Sequence, residues 1–175
     1  MIDEKLEDII NEQINAEMYS SYLYLSMAAY FEEKSLAGFA NWMKIQAQEE
    51  LLHAMKFFDY VVERGGRVEL TEIQKPPMEW ESPLDAFQNA YQHETKVTGM
   101  INEIVDLAIK LKDHASVEFL NWYVKEQVEE EASADEIVQQ LKIIGDSGHG
   151  ILLYDRELGG RPEKFPLTLE ESAGE

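Results

Sequence analysis

No proline interrupts the first 75 residues, and Gly38 is the only glycine before Gly65. A stretch so free of backbone breakers accommodates two long helices, and the apolar pattern divides it near "EEKSLAG" into spans of roughly 3–33 and 36–64. The "RGG" at 64–66 stops the second helix. Residues 65–82, "GGRVELTEIQKPPMEWES", carry two prolines and little helical periodicity, the mark of a crossover or a functional loop. Within it, the alternation of "RVEL" suits a short extended contact. Ser82-Pro83 then offers an N-cap and a proline for the first helical position, opening a third helix that runs to about Leu111. "KDH" allows a tight turn into a fourth helix over about 114–144, which Gly145 ends. A short fifth helix fits 147–158, before "GGRP", and the tail from Pro162 to residue 175 reads as poorly ordered. Short, long, short connections between four long helices describe an all-α four-helix bundle with one crossover, occupying residues 1–161 as one domain. In it helices one and two are antiparallel, two and three parallel, and three and four antiparallel.

The chain's 35 acidic and 15 basic residues give a formal charge of −20. No segment offers the basic surface that phosphate binding needs, so nucleic acid is excluded as a partner and affinity for cations is favoured. The absence of cysteine excludes disulfides, thiolate metal sites and cysteine nucleophiles. The acidic start "MIDEKLEDII" lacks an apolar stretch of signal-peptide length, and no run of about 18 apolar residues occurs. A cytoplasmic protein with no membrane partner is expected.

Spacing each helix by alternating steps of three and four exposes the seam it presents to a bundle core. Helix one gives Leu6, Ile10, Gln13, Glu17, Ser20, Tyr24, Met27 and Phe31; helix two gives Phe39, Met43, Gln46, Glu50, His53, Phe57 and Tyr60. Helix three gives Phe87, Ala90, Glu94, Val97, Ile101, Ile104, Ala108 and Leu111. Helix four gives Leu120, Tyr123, Gln127, Glu130, Ala134, Ile137, Leu141 and Ile144. Every helix thus inserts polar groups near the middle of its seam. Their distances from the connecting turns differ by about one helical turn, at roughly 1.5 Å per residue. The insertions meet in one slab. Of the acidic block in "YVKEQVEEEASADEIV", Glu130 therefore points inward, while Glu131, Asp135 and Glu136 are placed on a solvated face.

Four ionised, unpaired carboxylates in one core would cost several kcal/mol each, and no lysine or arginine falls in any seam to neutralise them. Protonation, water or metal must satisfy them. Four negative charges and one neutral imidazole balance two divalent cations, and a mostly oxygen donor set favours iron or manganese over zinc or copper. Glu50 and His53 form a Glu-x-x-His pair on one helix face, and Glu50 is placed to bridge two metals about 3.5–4 Å apart.

The stretches "NAEMYSSYLYLSMAAYF", "GFANWMKIQAQEELLHAMKFFDYVVERGGRV", "YQHE" and "FLNWYVKEQVEEEA" together resemble the ferritin family, specifically its non-haem bacterial and archaeal members, over about residues 3–160. The resemblance implies a ferroxidase centre that oxidises Fe(II) with O2 or peroxide, and a hollow 24-subunit shell that stores the ferric mineral. It implies that Glu17, Glu50 and His53 hold a first iron, and that Glu50, Glu94 and Glu130 hold a second with Gln127 nearby. Glu49, Glu126 and Glu129 match a third, weaker iron site, to which Glu130 also contributes. Tyr24 matches a tyrosine close to the centre with a role in electron transfer. The fifth helix would lie at an inter-subunit axis. Where di-iron carboxylate proteins more broadly carry a second Glu-x-x-His, this chain has Gln127-x-x-Glu130, which suits a loosely held second iron. No haem is expected, because the haem methionine of bacterioferritins falls about where Leu51 stands.

Plainer readings stand beside these. Tyr24 suits core packing, and Glu49, Glu126 and Glu129 taken alone are solvated surface. His93, His114 and His149 read as surface or cap residues; Met18, Met27, Met43, Met55, Met100, Trp42 and Trp122 read as packing. A di-iron oxidase without storage would more readily carry the second Glu-x-x-His and lack a fifth helix. A DNA-protecting mini-ferritin would build its site between subunits, and a purely structural bundle would not tolerate four seam carboxylates.

Overall fold

The computed structural model describes residues 1–162; the expectation for the tail falls almost wholly on residues outside them. Five helices follow one another: α1 (Glu4–Glu33), α2 (Ala37–Glu63), α3 (Pro83–Leu111), α4 (His114–Ile144) and α5 (Gly148–Leu158). The four long ones form the all-α bundle. Side chains cap the starts expected of them. Asp3 accepts from Lys5 N, Ser82 from Asp85 N, Asp113 from Ser116 N and Ser147 from Gly150 N, each taking up one of the amides that a helix start leaves unpaired.

α2 has no cap of its own. Its N-cap residue is Leu36, and the cap arrives from the far end of the chain: Asp155 of α5 accepts the Phe39 amide through Oδ1 at 2.9 Å. The approach is close enough that a Cβ on Gly38 would lie 1.6 Å from the Asp155 carbonyl oxygen, so only glycine fits there. Tyr154 adds an edge-on contact with Phe39, 6.1 Å between ring centroids.

Residues 64–82 run beside α1 in the same direction, which is what makes α3 parallel to α2. Asn11 reads the chain as a strand would, donating to the Arg67 carbonyl and accepting from the Glu69 amide, both at 3.0 Å. Further along, Asn15 donates to the Glu72 carbonyl at 3.2 Å and Ser26 to the Pro77 carbonyl at 2.5 Å. The extended contact expected of "RVEL" is therefore made to side chains of a helix, and no β-strand forms among the described residues.

All the seam residues are buried except Leu111 and Ile144, which are half-buried at the ends of their helices. The apolar core divides into two clusters. One gathers Tyr24, Met27, Phe31, Phe39, Met43, Phe87 and Leu141; the other gathers Leu6, Ile10, Ile14, Phe57, Ile101, Leu120 and Tyr123. The polar seam residues lie between them. No described helix is long and apolar enough to cross a membrane.

Candidate metal centre

Glu17, Glu50, Glu94, Gln127 and Glu130, with His53, occupy the slab between the two apolar clusters, and all six are buried. Two sets of ligand atoms converge there. Glu17, Glu50 and His53 each offer an atom within 4.8 Å of the others, and so do His53, Glu126 and Glu130. His53 Nδ1 stands 3.6 Å from Glu50 Oε2. Glu94 takes its place from α3, where its Oε1 accepts from the Tyr24 hydroxyl and its Oε2 from Gln127 Nε2 at 3.2 Å.

The donors to these carboxylates are neutral. Gln13 Nε2 donates to Glu17 Oε1 at 2.8 Å, and Gln46 Nε2 donates to Glu50 Oε1 at 3.2 Å and to Glu130 Oε2 at 2.5 Å. Glu17 Oε2 is buried with no donor beside it among the described residues except Glu50, and the two carboxyls can bond to each other only through a proton that one of them keeps. Electrostatics follow. Burial, then the charge of Glu50, holds the Glu17 carboxyl well above the usual carboxylate range, and burial, then Glu94 and Glu130, does the same to Glu50. Burial pushes Glu94 up to about 7 against the pull of the Tyr24 and Gln127 hydrogen bonds. Glu130 rises to about 7 through burial, then the charges of Glu94 and Glu49. Burial and the Glu94 charge raise the Tyr24 phenol well above its ordinary value, so it stays a neutral donor.

A site of mostly hard oxygen donors and one imidazole, in which Glu17 Oε2 has only another carboxyl beside it, fits a divalent cation of the iron or manganese kind. A cation would supply the positive charge that the side chains do not. Metal binding would also strip the protons that burial favours.

The residues singled out in sequence for a third metal are placed differently from one another. Glu126 is half-buried and shares a group with His53 and Glu130, Glu129 is exposed on α4, and Glu49 is buried and paired with the guanidinium of Arg161. Glu131, expected on a solvated face, is half-buried and accepts from Thr98 Oγ1 at 2.5 Å. His93 is half-buried and not a freely solvated surface residue: it packs beside Tyr19 and Tyr24, its Nε2 lies 2.7 Å from Ser20 Oγ, and burial lowers it to about 4. Trp122 is 36% exposed, standing edge-on to His53 with Lys56 Nζ 4.6 Å from its ring centroid, and Met55 is exposed on α2.

Four supporting residues carry no role in the sequence reading. Gln13 and Gln46 had a visible signal, since each lies four residues before a seam glutamate, one turn away on the same face. Tyr123, whose hydroxyl donates to the His53 carbonyl at 2.8 Å, and Arg161 had none.

The family profile of the ferritin-like domain matches residues 7–144. A bacterial non-haem ferritin of Bacteroides fragilis is 48% identical over 161 residues, covering 92% of this chain and all of that one. One from Campylobacter jejuni is 41% identical over 156 residues, covering 89% and 93%. Among solved structures, an open-pore ferritin from the hyperthermophilic archaeon Archaeoglobus fulgidus superposes with a TM-score of 0.92 at 56% identity, over 93% of this chain and 100% of that one. An engineered closed form of the Archaeoglobus fulgidus ferritin superposes equally well, at 55% identity.

Proposed function

The chain belongs to the ferritin family, and on that premise we propose that it oxidises Fe(II) at the buried carboxylate slab and stores the ferric product inside a hollow shell of 24 copies. The observation that carries the reading is the set of four buried carboxyls held between two apolar clusters, their hydrogen-bond donors among the described residues all neutral.

Iron is the substrate. Glu17, Glu50 and His53 take one Fe(II); Glu50, Glu94 and Glu130 take the second, with Gln127 turning Glu94 toward it. Glu50, between the other ligands, bridges the pair. Bound together, two Fe(II) give up one electron each; O2 takes both with two protons and becomes hydrogen peroxide, or peroxide takes them and becomes water. The apolar clusters above and below keep bulk water from the pair. Tyr24 orients Glu94 through its hydroxyl, and the same contact suits an electron-transfer role. Glu49, Glu126 and Glu129 serve a third, weaker iron, with Glu130 shared. Ferric product leaves for the cavity, where acidic side chains favour its accumulation. The working unit is residues 1–161, with α5 at an inter-subunit axis, and the cytoplasm is its setting. Neither haem, nucleic acid nor membrane enters this scheme.

The test is aerobic loading of metal-free protein with excess Fe(II), reading particle mass and iron per chain on the same eluting peak. A particle of about 24 chains carrying far more than three irons per chain is expected. A small oligomer that stops at two or three irons would leave an oxidase and refute storage.

A further inference from the structure

Arg161 follows α5 and reaches back across α2. Its Nη2 donates to Glu49 Oε2, its Nη1 donates to Gln46 Oε1 at 3.1 Å and to the Trp42 carbonyl at 3.4 Å, and its guanidinium carbon lies 4.6 Å from the Trp42 ring centroid. The backbone that carries it is tied down separately. Asn41 Nδ2 donates to the carbonyls of Gly159 at 3.5 Å and of Arg161 at 3.2 Å, and Gly159 packs on Gly38. The guanidinium can therefore leave Glu49 while its segment stays docked.

The contact also reaches the centre. Gln46 accepts from Arg161 through Oε1 and donates to Glu50 and Glu130 through Nε2. Reversing the amide would turn its NH2 toward a guanidinium and its oxygen toward two carboxylates, so Arg161 locks Gln46 in the donating orientation.

We propose that Arg161 is a displaceable counter-ion for Glu49, so that a third divalent cation binds beside the pair only by expelling the guanidinium. The inference rests on the reading of Glu49, Glu126 and Glu129 as a third metal site. An arginine keeps its charge throughout the working pH range, so it competes with the metal and is not removed by losing a proton. The pair of positions formed by Glu17, Glu50, His53, Glu94 and Glu130 has no such competitor among the described residues, where no arginine or lysine is bonded to any of these five. The pair fills first, the third position last, and filling the third frees Gln46 Oε1.

Zn(II), which does not change oxidation state, is the probe, titrated calorimetrically into metal-free full-length protein of wild type, Arg161→Met and Arg161→Lys. Methionine keeps the chain over Trp42 and removes the charge; lysine keeps the charge without the fork. A tight pair is expected in all three, with the weakest step about tenfold tighter in Arg161→Met, the worth of one charge-assisted contact, and intermediate in Arg161→Lys. Melting temperature gives a second readout. Arg161→Met should melt below wild type without metal, and the gap should close once the third site is saturated, because wild type has by then lost the same contact. A wild type that stops at two zinc ions while Arg161→Met takes a third supports the proposal in its strongest form. A weakest step unchanged or weakened in Arg161→Met, or both proteins stopping at two, overturns it while leaving the pair intact. Absence of the tight pair from wild type refutes both this proposal and the centre it rests on.

Discussion

Replacing Glu130 by glutamine should stabilise the metal-free protein and weaken the metal-bound one. The carboxyl of Glu130 is raised from 4.5 to about 7, first by burial and then by the charges of Glu94 and Glu49. An acid that is harder to ionise in the folded state than in the unfolded one costs nothing below about pH 4.5, where both states keep the proton. The cost grows as pH rises and is complete above about pH 7. At about 1.4 kcal/mol for each pH unit between the two values, it reaches about 3 kcal/mol. Glutamine keeps the shape, and its carbonyl oxygen can accept the Gln46 amide as Glu130 Oε2 does at 2.5 Å. Its NH2 then turns toward Glu126 and His53, which share the group with Glu130. At pH 8 the variant should be more stable by about 3 kcal/mol, a rise in Tm of about 6–12 °C for a chain of this size, shrinking to under about 1 kcal/mol at pH 5. Calorimetry of chelator-treated wild type and variant at pH 8, 6.5 and 5 measures this, the comparison at each pH cancelling effects common to both. With saturating Zn(II) the sign should reverse, because only wild type gains the full metal stabilisation. A metal-free variant less stable than wild type at pH 8, or a Tm difference independent of pH, would refute the claim that this carboxylate is held at a cost.

Three further outcomes are expected. Glu50→Ala should abolish rapid Fe(II) oxidation, followed by stopped-flow absorbance, while circular dichroism and elution volume remain those of a helical assembly; wild-type rates would end the bridging role. Glu129→Ala should change the iron consumed per O2 more than the initial rate, measured with an oxygen electrode, and an unchanged ratio would return this exposed residue to the solvated surface. Gly38→Ala places a Cβ 1.6 Å from the Asp155 carbonyl and so must push α5 off the start of α2. It should cost about 1–3 kcal/mol and lower Tm with little loss of helicity; an unchanged Tm would mean α5 does not sit there.

Helix spans, seams and crossover were legible because each follows from a repeating local cause: three-four spacing, cap residues and the placement of proline and glycine. The carboxylates of the slab were legible for the opposite reason, as breaks in an apolar repeat. What escaped were contacts made once, between residues far apart in sequence. Asp155 caps α2 from 116 residues away, Asn11 and Asn15 guide the crossover from 56 to 58 residues away, and Arg161 reaches Glu49 from 112 residues away. None of these leaves a period in the chain. His93 was only partly placed because it sits one position off the seam beside Glu94, where a polar residue ordinarily meets water; here the rings of Tyr19 and Tyr24 leave it half-buried.

The choice of donors around the slab explains why it is built at a cost in stability. A lysine or arginine in any seam would neutralise the carboxylates and stabilise the metal-free fold, but it would occupy the place a metal must take. Gln13, Gln46, Gln127 and Tyr24 orient the carboxyls without pairing them to a positive charge, leaving acids whose protons a cation can displace. Rigid positioning then falls to the two apolar clusters, which grip every long helix on both sides of the slab, so the ligands need no salt bridge to hold their geometry. The guanidinium that does approach belongs to a residue after α5 and engages Glu49, outside the pair. On the proposed reading it would exchange with a metal there without disturbing the helices that would hold the other two.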